Sequence, residues 1–286
     1  MCSRRTVVLG GSSLVLLSAL MPAATFAQEE DFVCTTFDPR SREPDAGLAA
    51  FSATAEGGTI AELKVRAEAA GLSPFGTALI KDIWRRTDGL TPGTGIITLG
   101  VYFDEASSRD QRESTELHAT KWLEGDLGNV LNFRFGVETR DEAQITITFN
   151  TNDNRSEVGR RGLDVTAPNF SMHLSKQTER TVCHEFGHAL GLIHEHSNVD
   201  APFVWNEQTV IDEMKQRKWT EADVRSNIFA RVGKDLSCLG DPKFNGQSIM
   251  LYPIKPIWTA DGRSYPLNTK ISDGDRNCLV ALYRAT

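Results

Sequence analysis

Apolar side chains recur at every second position through Ile97, Leu99, Val101 and Phe103, and again through Ile145, Ile147 and Phe149, which predicts two half-buried strands. Leu131 to Val137 reads as a third strand, and shorter ones are expected near Leu163 to Val165 and Phe170 to Leu174. Helical spacing predicts a polar helix from about Ser108 to Leu123, with Leu117 and Trp122 turned to the core, and a second helix from Thr178 to Leu190. Two more are expected over Asn206 to Lys218 and Thr220 to Val232, with Trp205 and Trp219 as core anchors. Strands first and a long helix after them point to an α+β domain whose helices pack on a twisted sheet.

Before this domain the pattern changes. A helix rich in Ala, Glu, Lys and Arg is expected over Ile60 to Ala70, stopped by Gly71-Leu72-Ser73-Pro74, and a short amphipathic segment follows from Leu79 to Trp84. The turn cluster Asp88-Gly89-Leu90-Thr91-Pro92-Gly93 marks the expected boundary. At the start of the chain, Arg4 and Arg5 precede an apolar run from Val7 to Met21 and the small residues around Thr25-Phe26-Ala27, the pattern of an export signal cut before Gln28. Gly10, Gly11, Ser12 and Ser13 interrupt the run, which falls short of the roughly 20 apolar residues of a membrane span, so no stable anchor is expected. Ser3-Arg4-Arg5 is similar to a twin-arginine export signal, which leaves a secreted or periplasmic destination open. The expected organisation is therefore a signal peptide over 1–27, a pro-region or extension over 28–92, and a catalytic domain over 93–286.

Charge and cysteines narrow the partners. Losing Arg4 and Arg5 leaves 29 basic against 38 acidic residues, and a chain this acidic lacks the basic face that nucleic acid requires. Cys2 leaves with the signal, so Cys34, Cys183, Cys238 and Cys278 form an even set with three pairings open, as suits an oxidising compartment. Nothing in the sequence sets an oligomeric state.

The chemistry is concentrated in His184-Glu185-Phe186-Gly187-His188-Ala189-Leu190-Gly191-Leu192-Ile193-His194-Glu195-His196, which holds four of the six histidines. Residues four apart lie one turn above each other on a helix, so His184 and His188 can aim two imidazoles at one zinc ion. Glu185, about 100° further round, flanks the ion and is placed to act as general base. Gly191 can end the helix with a positive φ and return His194 as the third ligand. Three nitrogen ligands leave a fourth position open, the mark of a catalytic rather than a closed structural zinc site. Cys183 points about 100° away from His184, so burial or a disulfide is expected for it. His196 is expected to be a surface or hydrogen-bonding residue rather than a fourth ligand.

These residues resemble the metzincin metallopeptidases, with their HExxHxxGxxH motif and methionine-containing turn, and among them most resemble bacterial astacin-like enzymes. The resemblance rests on the motif, on Glu195 directly after the third histidine, and on Gln247-Ser248-Ile249-Met250-Leu251-Tyr252, and it extends from about Thr94 to a closing helix at Ile271-Ser272 to Leu282-Tyr283. It implies a metzincin-like catalytic domain with a twisted mixed sheet, an active-site helix and a Met-turn, preceded by a small, mostly helical segment. It implies Met250 beneath the metal, and Tyr252 as a displaceable ligand that swings to stabilise the oxyanion. Leu251 replaces the usual His of the turn, and the Arg-Asp-rich stretch of animal astacins is absent after Ser197.

By the same resemblance, Glu195 is either a sensor of a newly cut N-terminus or a salt-bridged helix-end carboxylate. Latency in these families comes from an acid or thiol placed on the zinc. Phe-x-Gly-Asp is absent and Cys34-Thr35-Thr36-Phe37-Asp38 is not the matrixin switch, so Asp38 and Cys34 are candidates without a motif, and a Cys34–Cys278 disulfide is the competing expectation. The function implied is an exported zinc endopeptidase acting on extended protein or peptide along a sheet edge, expected at Leu163 to Val165. The alternative is a zinc-binding adhesion protein that retains the site without cleaving.

Overall fold

Short runs of β-branched and aromatic residues build one five-stranded sheet in a computed structural model of the chain, which describes Cys34, Ala78, residues 82–90, 95–231, Cys238 and residues 243–284. Strands β1 (Ile97–Phe103), β2 (Leu131–Phe135), β3 (Ile145–Thr148), β4 (Asn154–Ser156) and β5 (Met172–Leu174) lie in the order β2-β1-β3-β5-β4. The first three pairings are parallel, with Leu99 opposite Phe133, Phe103 opposite Ile147 and Ile147 opposite Met172, and β4 closes one edge antiparallel to β5. Strand β3 is buried at all four positions, as expected of a parallel strand covered on both faces.

Among the described residues, five helices follow the capping signals of the sequence. Helix α1 (Arg109–Ala119) starts with a capping box between Ser108 and Gln111, and α2 (Glu179–Ala189) starts at Thr178, whose hydroxyl accepts from the Thr181 N–H. Helices α3 (Glu207–Gln216) and α4 (Glu221–Val224) build the second half of the molecule, α4 running on into a π-helical turn at Arg225–Phe229. Helix α5 (Asp273–Tyr283) closes the fold behind a Ser272–Asp275 capping box. Every residue of α2 from Arg180 to Ala189 is buried, and Phe186 meets Phe133 of the sheet edge-on at 5.3 Å. The main core joins the sheet to α2 and α5, a second core lies under α3 and α4, and the 249–251 turn enters both, Met250 in the first and Leu251 in the second.

Residues 82–90, which sequence places before the catalytic domain, are packed into that main core. Ile83 and Trp84 are buried, the Trp84 Nε1–H donates to the Ala189 carbonyl at 2.7 Å, and Leu90 pairs with Thr98 at the start of β1. Ala78 forms a bridge with Leu192.

Several expectations need correction. Leu163 to Val165 is not a strand. Residues Gly159–Asp164 form a 3-10 turn, because Gly159 takes a φ of +51° against the Asp82 carbonyl and Arg161 is tied to Asp82 at 2.6 Å. Among the described residues, β4 is the edge strand on this side of the sheet and β2 the edge on the other. Leu117 is 64% exposed, since α1 turns Thr115 and Ala119 inward, whereas Trp122 is buried as expected. The pairing of Cys34 with Cys278 is replaced by Cys238–Cys278, with Cys34 and Cys183 free and buried. The export signal, the 60–70 helix and Asp38 lie outside the described residues. Among the described residues, no helix is long and apolar enough to cross a membrane.

Candidate metal centre

Helix α2 carries His184, Glu185 and His188 on buried positions, and its end is shaped by Gly191. Gly191 has a φ of +101°, and a Cβ there would lie 2.9 Å from the Ile83 side chain, so both conformation and space select glycine. The Leu192 N–H returns to the Gly187 carbonyl at 2.9 Å, and the reversed chain brings His194 back to the helix. His188 Nε2 then lies 3.2 Å from both His184 Nε2 and His194 Nε2.

That spacing fits a metal. Nitrogens bound tetrahedrally to zinc at about 2.0–2.1 Å stand roughly 3.4 Å apart. The ring Nδ1 atoms of His184 and His188 face the carbonyls of Ile249 and Leu192 at 2.9 Å, and a carbonyl can only accept, so both rings carry Nδ1–H and turn an Nε2 lone pair to the shared point. Burial holds all three imidazoles below the ordinary histidine range, His188 down to about 3, which keeps them neutral and able to ligate.

The fourth member of the group is Cys34, whose sulfur lies with the three ring nitrogens inside 4.8 Å. Its thiol donates to Glu185 Oε2 at 3.2 Å, its carbonyl accepts from the Tyr252 hydroxyl, and the Ser156 N–H of edge strand β4 reaches its sulfur. Burial, then the Glu185 charge, pushes the Cys34 thiol up. Burial likewise pushes Glu185 up to about 8. Its Oε1 is buried without a hydrogen-bond partner among the described residues.

Met250 lies against α2, where a Cβ on Gly187 would come 2.5 Å from its sulfur. The Tyr252 ring packs 4.4 Å from that of His194. Glu195 is buried, its N–H reaches the Met250 carbonyl at 3.1 Å, and its Oε1 accepts from Asn245 N–H at 2.7 Å and Asn198 Nδ2 at 2.9 Å. The structure thus brings His184, Glu185, His188, Gly191, His194, Glu195, Met250 and Tyr252 together in one region. His196 proves fully buried, donating from Nε2 to the Asn227 carbonyl at 2.8 Å, and stands outside the ligand group. Cys183 points to the His118 carbonyl at 3.3 Å and is no ligand, as expected. Sequence reasoning missed Arg180, buried beside the centre and lowered to about 10 by burial against the attraction of Glu185, although its i, i+4 spacing to His184 was a signal.

The chain is similar to several known proteins. The model of the astacin peptidase family matches residues 104–259. A solved structure of myroilysin is 26% identical with a TM-score of 0.60, covering 73% of this chain and 98% of its own. High choriolytic enzyme 1, a hatching-enzyme zinc protease from the medaka fish Oryzias latipes, is 17% identical with a TM-score of 0.48, covering 71% of this chain and 98% of its own. No curated protein sequence matches. With a family match over more than half its length and three buried histidines arranged for zinc, the chain belongs to the astacin family of zinc metallopeptidases.

Proposed function

We propose that the chain is exported as a latent zinc endopeptidase, with Glu185 as general base and Cys34 as the latch. The observation that carries the reading is Cys34 itself, which occupies three catalytic positions together: its sulfur completes the histidine group, its thiol holds Glu185, and its carbonyl holds Tyr252. A peptide at the point of cleavage would need those same three contacts.

His184, His188 and His194 would hold a zinc ion, which when bound would supply a Lewis acid and make water at the site acidic, with a pKa of about 7. Glu185, buried on the same helix beside the two histidines, would take the proton of the attacking water and return it to the leaving amine. Tyr252, released from the Cys34 carbonyl, donates its hydroxyl to the carbonyl oxygen as negative charge develops there. Strand β4 offers its edge to an extended substrate, and the Ser156 contact with Cys34 supports that path. Met250 and Gly191 shape the floor and the turn, and Glu195 ties the third-histidine turn to the 243–245 segment.

The pro-region is proposed to begin after an export signal over 1–27 and to end before Ala78, since the packing of Ile83 and Trp84 makes residues 82–90 part of the catalytic body. The test is digestion of an unfolded protein such as casein by residues 28–286, with zinc, with a chelator, and with Glu185→Ala, while intact mass follows loss of the N-terminal segment. Zinc-dependent cleavage that appears with that loss and vanishes in Glu185→Ala is expected. Bound zinc without cleavage after the segment has been removed would overturn the reading in favour of a non-catalytic binding protein.

A further inference from the structure

The 249–251 turn reaches the zinc group through a chain of hydrogen bonds as well as through the Met250 sulfur. His184 Nδ1–H donates to the Ile249 carbonyl at 2.9 Å. The same peptide group carries the Met250 N–H, which donates to Ser248 Oγ at 3.0 Å. The Ser248 hydroxyl donates in turn to Asp275 Oδ1 at 2.6 Å. Every donor points the same way, from the imidazole through one peptide group and one hydroxyl to a carboxylate.

The far end of this chain is held firmly. Asp275 Oδ2 accepts from the Ile249 N–H at 3.0 Å and from the Ser272 N–H and hydroxyl at 3.1 and 2.9 Å, while Asn268 Nδ2 donates to the Ser248 carbonyl at 2.9 Å. His184 is 0% exposed, and Ser248 and Asp275 are 1% exposed. Burial pushes the Asp275 carboxyl above the ordinary range, and the converging donors counter it. In such a dry setting aligned hydrogen bonds polarise one another, and a carboxylate at one end draws the imidazole proton toward the chain and electron density onto the opposite ring nitrogen. The Nδ1–H of His188 instead rests on the Leu192 carbonyl just past the end of its own helix, so the two helix-borne ligands are supported differently.

We propose that Ser248 and Asp275 are positioning residues of the metal centre: the Asp275 carboxylate acts through the Ser248 hydroxyl and the Ile249–Met250 peptide to orient His184 and strengthen its Nε2 as a zinc donor. The proposal rests on the zinc reading given above and extends it to the first turn of the closing helix. A purely structural role predicts that loss of either residue softens the fold and leaves zinc affinity alone.

The test compares the whole chain with Ser248→Ala, Ser248→Thr and Asp275→Asn. Zinc affinity is read by competition with a chromophoric chelator, and the His184 and His188 ring resonances are read by NMR without metal. In Ser248→Ala and Asp275→Asn the affinity is expected to fall about 10- to 100-fold and the His184 Nδ1–H signal to move while that of His188 stays, and Ser248→Thr, which keeps the hydroxyl, restores both. Folded variants with unchanged zinc affinity and an unmoved His184 signal would overturn the proposal. Should Asp275→Asn not fold, the Ser248→Ala and Ser248→Thr pair decides. A wild-type chain that binds no zinc would sink the peptidase reading, and the His184 resonance would still decide the relay.

Discussion

The thiol of Cys34 donates to the Glu185 carboxylate across 3.2 Å, although the two residues are 151 positions apart in sequence. A tethered thiol of this kind competes with substrate at an effective concentration on the order of millimolar, so removing it should raise the rate of the unprocessed chain at least about tenfold. Casein hydrolysis by intact Cys34→Ala, compared with intact wild type, measures this. Equal rates before processing would remove Cys34 as the latch.

Glu185→Gln keeps the shape of the side chain and loses the base. The expected fall in kcat is about 10²- to 10⁴-fold at unchanged zinc content, read from hydrolysis rates alongside metal analysis of the processed enzyme. A variant of near wild-type rate would assign the proton transfer elsewhere.

Trp84 supports the end of the helix that carries two ligands, donating to the Ala189 carbonyl from a fully buried position. Trp84→Ala should cost about 3–5 kcal/mol in urea unfolding and weaken zinc binding as well. A chain that starts at residue 93 should not fold.

The histidine motif, Glu185, Gly191 and the 247–252 turn were legible because each depends on local spacing along the chain. The sheet strands were legible where period-two alternation was clear, in β1, β2 and β3. The edge strand β4 was not, since it is three residues long with polar side chains and carries no periodic signal, whereas Leu163 to Val165 has the apolar look of a strand and is curled by Gly159 and the Asp82–Arg161 pair. Cys34 belongs to the centre only through contacts more than a hundred residues distant, which no spacing reports. Trp84 was hidden by the turn signals just after it, which look like a boundary even though the segment before them enters the core.

Gly187 sits under the methionine of the turn, where a Cβ would meet the Met250 sulfur at 2.5 Å and Trp122 at 3.1 Å. Gly187→Ala should therefore destabilise by about 1–3 kcal/mol, despite the better helix propensity of alanine, because the Met250 side chain must shift. Thermal unfolding checks it, and an unchanged or raised Tm would show that Met250 yields freely.

Glu213 gives the second core a dependence on pH. Burial pushes its carboxyl up, but hydrogen bonds from Lys255 Nζ at 2.6 Å and Trp258 Nε1 at 2.7 Å outweigh that and leave it below 4.5. A carboxyl lowered on folding contributes stability that is present above the unfolded value and lost as pH falls through the folded one. Lys255 is 41% exposed, so the contribution is at most about 1 kcal/mol. Urea midpoints from pH 6 down to pH 3 should fall less steeply in Glu213→Gln than in wild type, and parallel curves would refute the assignment.

The closing helix α5 has a consequence in time. Tyr283 donates its hydroxyl to the Leu190 carbonyl at 3.0 Å, and Asp275 grips the turn beneath His184, so residues synthesised long after the histidine motif brace both the helix end and one of its ligands. A growing chain that has only reached His194 holds its histidines and its glutamate but not these two contacts. Because the Tyr283 contact closes over 93 residues, the helix end and His184 gain these two braces only after α5 has been made and has docked.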